Sequence, residues 1–152
     1  MRGTIETGLA RKKVYLDTNL FIYSVEVVAP WAETSNDFFA GLKSSEFSVV
    51  TSNLTLAECL VKPFKEQRSD LAKVYRQALS PRPYLNIAPI DDNILMFAAH
   101  LRAKIGLKFP DAIHAATAVT QQCTTILTND DGFKRVPSIE VFLLSDWITP
   151  LC

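Results

Sequence analysis

Apolar residues follow two patterns along this chain: short unbroken runs of four or five, and longer segments in which they return every three or four positions. Strands buried in a parallel sheet give the first pattern, and helices lying on such a sheet give the second. Lys13 to Asp17 reads as the first strand and ends in Asp17-Thr18-Asn19, a group suited to capping the helix that follows. The first turn of that helix, Leu20, Phe21, Ile22 and Tyr23, is strongly apolar. A second helix spans Trp31 to Lys43, with Trp31, Phe38, Phe39 and Leu42 on or near one face, and Phe47 to Thr51 forms a second strand. Thr55 and Glu58 have the spacing of a capping box, which predicts a helix from near Leu54 toward Pro63.

A further helix covers Ser69 to Leu79 and is closed by Pro81 and Pro83. Tyr84 to Ile90 is a third strand. Asp91 and Asp92 open a helix through Ile94, Phe97, Ala98, Leu101 and Ile105 that stops at Gly106. Pro110 favours a first helical turn, so Asp111 starts the Ala-rich segment Ala112 to Gln121. Thr124 to Leu127 and Ile139 to Leu143 complete the strands. Strands alternating with helices predict an α/β fold: a central, mostly parallel sheet covered on both faces, which is a three-layer α/β/α sandwich.

At 152 residues the chain has the size of one domain, able to bury roughly 70% of its unfolded surface. Residues 1–12 lack periodicity and are expected to form a flexible arm, leaving 13–152 as the domain. Sixteen basic residues balance sixteen acidic ones, which argues against polyanion binding through the overall field. The balance is not uniform. Between Lys62 and Arg82, six basic residues (Lys62, Lys65, Arg68, Lys73, Arg76, Arg82) face only Glu66 and Asp70, with Phe64 and Tyr75 interleaved. Such a patch suits either a solvated helix face or a phosphate backbone with stacked bases. Three cysteines without a C-x-x-C pair, and only two histidines, argue against a disulfide framework or structural zinc and for a reducing, cytoplasmic setting. Cys59 and Cys123 read as small core residues. No run approaches the ~20 apolar residues of a membrane span.

Four acids stand where a strand meets a helix or turn: Asp17, Glu58, Asp111 and Asp130. Loops at the carboxyl ends of strands in an open α/β sheet form its crevice, so acids from distant parts of the chain can converge there. Each also has a local explanation. Asp17 is a helix cap, Glu58 half of a capping box, Asp111 a partner for a helix dipole and Asp130-Asp131-Gly132 a turn. Together they point to a divalent metal site, and Mg²⁺ and Mn²⁺ prefer such oxygen ligands. Thr18, Asn19, Thr128, Asn129 and Asp131 flank the acids and are candidates to orient them. His114, one turn beyond Asp111, is placed to touch substrate or orient a carboxylate rather than to bind a hard cation. Arg102 is a candidate phosphate contact.

The segments Val14-Tyr15-Leu16-Asp17-Thr18-Asn19, Thr55-Leu56-Ala57-Glu58, Phe109-Pro110-Asp111-Ala112-Ile113-His114-Ala115-Ala116-Thr117-Ala118 and Leu127-Thr128-Asn129-Asp130 resemble the PIN-domain family. Within that family the chain is most similar to VapC-type ribonuclease toxins of toxin-antitoxin modules, from about Lys13 to Leu144. The resemblance implies Mg²⁺- or Mn²⁺-dependent cleavage of single-stranded RNA, a small antitoxin partner and a homodimer. It places the family's conserved acids on Asp17, Glu58 and Asp111 and its more variable fourth acid on Asp130, which makes all four the expected catalytic residues and Asp17, Asp111 and Asp130 the expected metal ligands. Gly132 departs from the pattern, because members often carry an acid at that place. The antitoxin's C-terminal segment is expected in the acidic crevice through an Arg or Lys, and Phe21, Ile22 and Tyr23 serve either the core or a dimer or antitoxin surface.

Three other readings fit less well. A haloacid-dehalogenase-like phosphatase needs an Asp where Asn19 stands, and a receiver domain needs adjacent acids after its first strand. A non-catalytic PIN-like scaffold that binds RNA or protein would be expected to lack some of the four acids.

Overall fold

A computed structural model of the chain describes Leu9, residues 12–44 and residues 48–147. Five strands, β1 (Val14–Leu16), β2 (Val49–Ser52), β3 (Leu85–Ala88), β4 (Thr125–Thr128) and β5 (Glu140–Leu143), form one sheet in the order β3-β2-β1-β4-β5. Every strand pair is parallel, with Val14 opposite both Val49 and Thr125. The expected mostly parallel sheet is therefore wholly parallel among the described residues. Six α-helices connect the strands: α1 (Thr18–Val25), α2 (Ala32–Ser44), α3 (Asn53–Lys65), α4 (Ser69–Ala78), α5 (Asp92–Ile105) and α6 (Phe109–Thr120).

Strand alternation sorts the core into two layers. Val14 and Leu16 face one side with Val49, Leu85 and Leu127, where α1 to α4 supply Leu20, Phe21, Phe38, Leu42, Leu60, Leu71 and Tyr75. Tyr15, Val50, Ala88 and Ile126 face the other side, against Ile94, Ala98, Leu101, Ala112, Ala115 and Ala116 of α5 and α6. The alanine run lets α6 approach the sheet closely. Leu9 is fully buried in the first layer, so packing begins before Lys13, while residues 1–8, 10 and 11 of the expected arm lie outside the described residues. Phe21 is buried and Ile22 and Tyr23 pack against the same layer, which makes them core residues. Cys59 and Cys123 are buried free thiols, as expected; Cys152 and Phe47 lie outside the described residues.

Helix boundaries follow the caps. The Asp91 carboxylate accepts from Ile94 N–H, and Gly106 closes α5 at φ 74°, a left-handed conformation that costs glycine little. The capping box does not form. The N-cap of α3 is Ser52, without a side-chain cap bond; the Thr55 hydroxyl pairs with that of Thr51, and Glu58 turns away toward the sheet crevice. Two short 3₁₀ helices, Asp131–Arg135 and Leu144–Trp147, were not anticipated. No helix among the described residues is long and apolar enough to cross a membrane.

Candidate active site

β1 is followed outward to β2 and β3 on one side and neighboured by β4 on the other, so the carboxyl ends of β1 and β4 flank the point where strand order reverses. Asp17 leaves β1 there and Asp130 lies two residues beyond β4. Asp17 is buried, yet both its oxygens are satisfied. Oδ1 accepts from the Thr18 amide at 2.7 Å, capping α1, and Oδ2 accepts from the Thr128 hydroxyl at 2.7 Å. The same Thr128 hydroxyl accepts from the Asp130 amide at 3.0 Å. One threonine thus fixes the side chain of one acid and the backbone of the other. Asp130 Oδ1 accepts from the Gly132 amide at 2.8 Å, and a Cβ at Gly132 would stand 3.0 Å from that oxygen. A side chain at 132 would crowd Asp130, which gives the glycine a local reason.

Asp111 lies half-buried in the first turn of α6. Burial, then the charges of Asp130 and Asp17 and, least, of Glu58, push its carboxyl above the usual range, with His114 acting in the opposite sense. Asp111 is therefore close enough to feel the charges of the other three acids.

Glu58 reaches the crevice from the second turn of α3. Its Oε1 accepts from the Thr18 hydroxyl at 2.8 Å and lies 2.5 Å from His114 Nε2. Burial alone would raise its carboxyl, but the hydrogen bond and charge of His114, with the Thr18 bond, outweigh it and hold the group below its ordinary value. His114 is itself buried, 3.8 Å from Asp17 Oδ1 and 3.2 Å from the Thr18 hydroxyl. Its Nδ1 lies 2.7 Å from the Tyr15 hydroxyl, which donates to Ser52 Oγ at 2.8 Å. Of the two roles expected for His114, the structure supports orienting a carboxylate; the ring is too buried to meet substrate.

The remaining candidates divide. Thr18 and Thr128 touch the acids, and Asn19 is half-buried in the first turn of α1. Asn129 instead accepts from the Ser145 amide at 3.2 Å, tying the β4 loop to the second 3₁₀ helix. Asp131 is exposed. Arg102 is exposed and donates to the Leu107 carbonyl at 2.9 Å, bracing the turn that leads to Asp111 rather than joining the acids. Tyr15 and Ser52 were missed: a tyrosine inside an apolar strand reads as core, and only its placement on the face opposite Val14 and Leu16 hints at a partner on α6.

Among the described residues, no three of His, Cys, Asp and Glu close into a ready-made ligand cage. The donor set still suits a hard cation. It consists of carboxylate oxygens, His114 Nε2 is committed to Glu58, and Mg²⁺ takes only one or two carboxylates while keeping several waters.

A parallel five-stranded sheet between helical layers, with acids at its switch point, defines an α/β protein with an acidic crevice. A PIN domain family model matches residues 14–139, and the chain belongs to that family. VapBC2 from Rickettsia felis, solved bound to a DNA fragment from its promoter, is similar in fold: 20% identity, 86% of this chain and 97% of that chain covered, TM-score 0.65. A toxin-antitoxin complex from Klebsiella pneumoniae matches at 26% identity over 87% and 98% of the two chains, TM-score 0.63. VapC20 of Mycobacterium tuberculosis, described as a sarcin-ricin loop cleaving toxin, matches at 16% identity over 75% and 87%, TM-score 0.63. No curated protein sequence matches the chain.

Proposed function

We propose that this protein is a Mg²⁺- or Mn²⁺-dependent endoribonuclease that cleaves single-stranded regions of RNA, acting as the toxin of a type II toxin-antitoxin pair in the cytoplasm. The observation that carries the reading is the gathering of the acids around Asp111, whose carboxyl is pushed up by burial and by the charges of Asp130, Asp17 and Glu58, a strain that a bound cation would relieve. Asp17, Asp111 and Asp130 would hold the ion. Such an ion supplies polarisation of the scissile phosphate and a bound water of lowered pKa.

The chain's own residues hold this arrangement in place. Thr128 sets the spacing of Asp17 and Asp130, and the Asp17 cap on α1 keeps that carboxylate at the mouth of the crevice. Glu58 is locked by Thr18 and His114, with one oxygen engaged and the side chain still partly exposed, so it can accept a hydrogen bond from an attacking water without swinging. Likeness to VapBC complexes supports an antitoxin partner, and a cluster of carboxylates suits a guanidinium or ammonium from its C-terminal segment. A homodimer is the assembly this reading expects.

The test is cleavage of a labelled single-stranded RNA by purified protein with Mg²⁺ or Mn²⁺, compared with EDTA and with Asp17→Asn, Glu58→Gln and Asp111→Asn. Each substitution should abolish cleavage while the protein stays folded. Wild-type cleavage by Asp111→Asn would refute the site. No cleavage by any form, with RNA still bound, would leave the non-catalytic scaffold. Expression in a bacterial host without antitoxin should slow growth, and the Asp17→Asn form should not.

A further inference from the structure

The basic segment of α3 and α4 plays no part in the crevice, yet it builds a groove. Pro63, Phe64, Arg68, Ala72, Lys73 and Arg76 are among the residues that line a cavity of about 440 Å³, within the roughly 300–1,000 Å³ of ligand sites. Phe64 is 58% exposed, and the Arg76 guanidinium sits 6.0 Å from its ring centroid. Arg68 is paired with Asp70, and Lys62 with Glu26. Lys73 and Arg76 have no carboxylate partner among the described residues.

The groove is joined to the crevice by one helix. Glu58, Val61 and Phe64 follow one another at i+3 spacing, which makes each a surface neighbour of the next. Val61 is 64% exposed. An exposed ridge therefore runs from the locked carboxylate to the groove, over about 9 Å of helix axis. Unpaired cations beside an exposed aromatic ring are the chemistry that recognises a single strand: phosphates on the cations, a base on the ring.

We propose that this groove is a binding site for single-stranded RNA flanking the bond presented to the crevice, with Phe64 stacking on a base and Lys73 and Arg76 holding phosphates. The inference rests on the nuclease reading for the identity of the polyanion, while the groove's affinity is measured without cleavage.

Fluorescence anisotropy of a labelled single-stranded RNA in EDTA provides the test, with wild type, Phe64→Ala, Phe64→Trp, the double variant Lys73→Glu/Arg76→Glu and, as control, Lys104→Glu on α5. Phe64, Lys73, Arg76 and Lys104 are all exposed, and melting temperature checks folding. Phe64→Ala should weaken binding about tenfold and Phe64→Trp should not. The charge reversals should weaken it at least about tenfold and reduce the salt slope by about two. Lys104→Glu should bind as wild type does. Unchanged binding by Phe64→Ala and by the double variant, a wild type that binds no RNA, or an equal loss with Lys104→Glu would overturn the proposal. Variants that keep RNA but lose a co-purifying protein partner would overturn it too, assigning the groove to that partner. Cleavage by wild type with binding unchanged in the variants would refute the groove and spare the nuclease; groove-dependent binding with no metal-dependent cleavage would do the reverse.

Discussion

Replacing Tyr15 by Phe removes a single oxygen, yet it should destabilise the protein more than replacing His114 by Leu. Tyr15 is fully buried, and its hydroxyl joins Ser52 Oγ at 2.8 Å to His114 Nδ1 at 2.7 Å. Phe fills the same space but withdraws the partner of both groups. A buried polar group left without its partner costs about 1–3 kcal/mol, so with Ser52, a rotatable hydroxyl, at the low end, the sum is about 3 kcal/mol. His114→Leu acts differently. Tyr15 keeps Ser52, while Glu58, whose side chain is 35% exposed, keeps Thr18 and turns its freed capacity toward water. Only net hydrogen bonds and a change of shape are lost, about 1–2 kcal/mol. At roughly 2–4 °C per kcal/mol for a domain of this size, Tyr15→Phe should lower Tm by about 9 °C and His114→Leu by about 4 °C. Urea unfolding followed by circular dichroism, with calorimetric Tm, measures both. A Tyr15→Phe protein within about 0.5 kcal/mol of wild type would show that the hydroxyl is not the bridge the geometry describes. The double mutant should cost less than the sum of the single losses, because both changes break the same bond.

Thr128→Val keeps the shape of the side chain but frees Asp17 Oδ2 and the Asp130 amide, so metal affinity measured by calorimetry, or RNA cleavage, should fall about 10- to 100-fold. Asp130→Asn should impair cleavage far more than Asp131→Asn, because Asp130 is half-buried beside Asp111 and Asp131 is exposed; equal effects in a kinetic assay would refute that division. Mg²⁺ or Mn²⁺ at about ten times its dissociation constant should stabilise wild type by about 1.4 kcal/mol, and Asp17→Asn less; an identical Tm response in both would remove Asp17 from the site. Burial tends to raise the Glu26 carboxyl, but hydrogen bonds from Lys62 and Tyr75 and the Lys62 charge outweigh it and hold it below its ordinary value. The stability this group contributes is thus present above the unfolded-state value and lost as pH falls through the lower folded one. Glu26→Gln should therefore be less stable than wild type near neutrality, and the gap should close in acid, as read from urea midpoints across pH.

Local rules carried the sequence a long way where tertiary contacts agreed with them. The Asp91 cap and Gly106 terminus bound α5 as the pattern predicts, and the apolar run Val14, Tyr15 and Leu16 is a strand buried on both faces, as such a run implies. The rules failed where a longer-range partner offered more. Thr55 and Glu58 satisfy the spacing of a capping box, but Glu58 finds His114, 56 residues away, and Thr18, 40 residues away. No local signal distinguishes a glutamate that caps its own helix from one that reaches across a sheet. Asp17 shows why the acids were legible nonetheless. One of its oxygens obeys the local rule by capping α1, while the other is held by Thr128 from an adjacent strand. Cap and site are compatible there because a helix that follows a parallel strand starts at the sheet's carboxyl edge, so an acid that caps it already stands in the crevice. The same reasoning places Asp130, at the start of the 3₁₀ helix that follows β4, but not Asp111, whose helix follows α5 rather than a strand. It does not place Glu58, in the second turn, which reaches the crevice only because Thr18 and His114 draw it there.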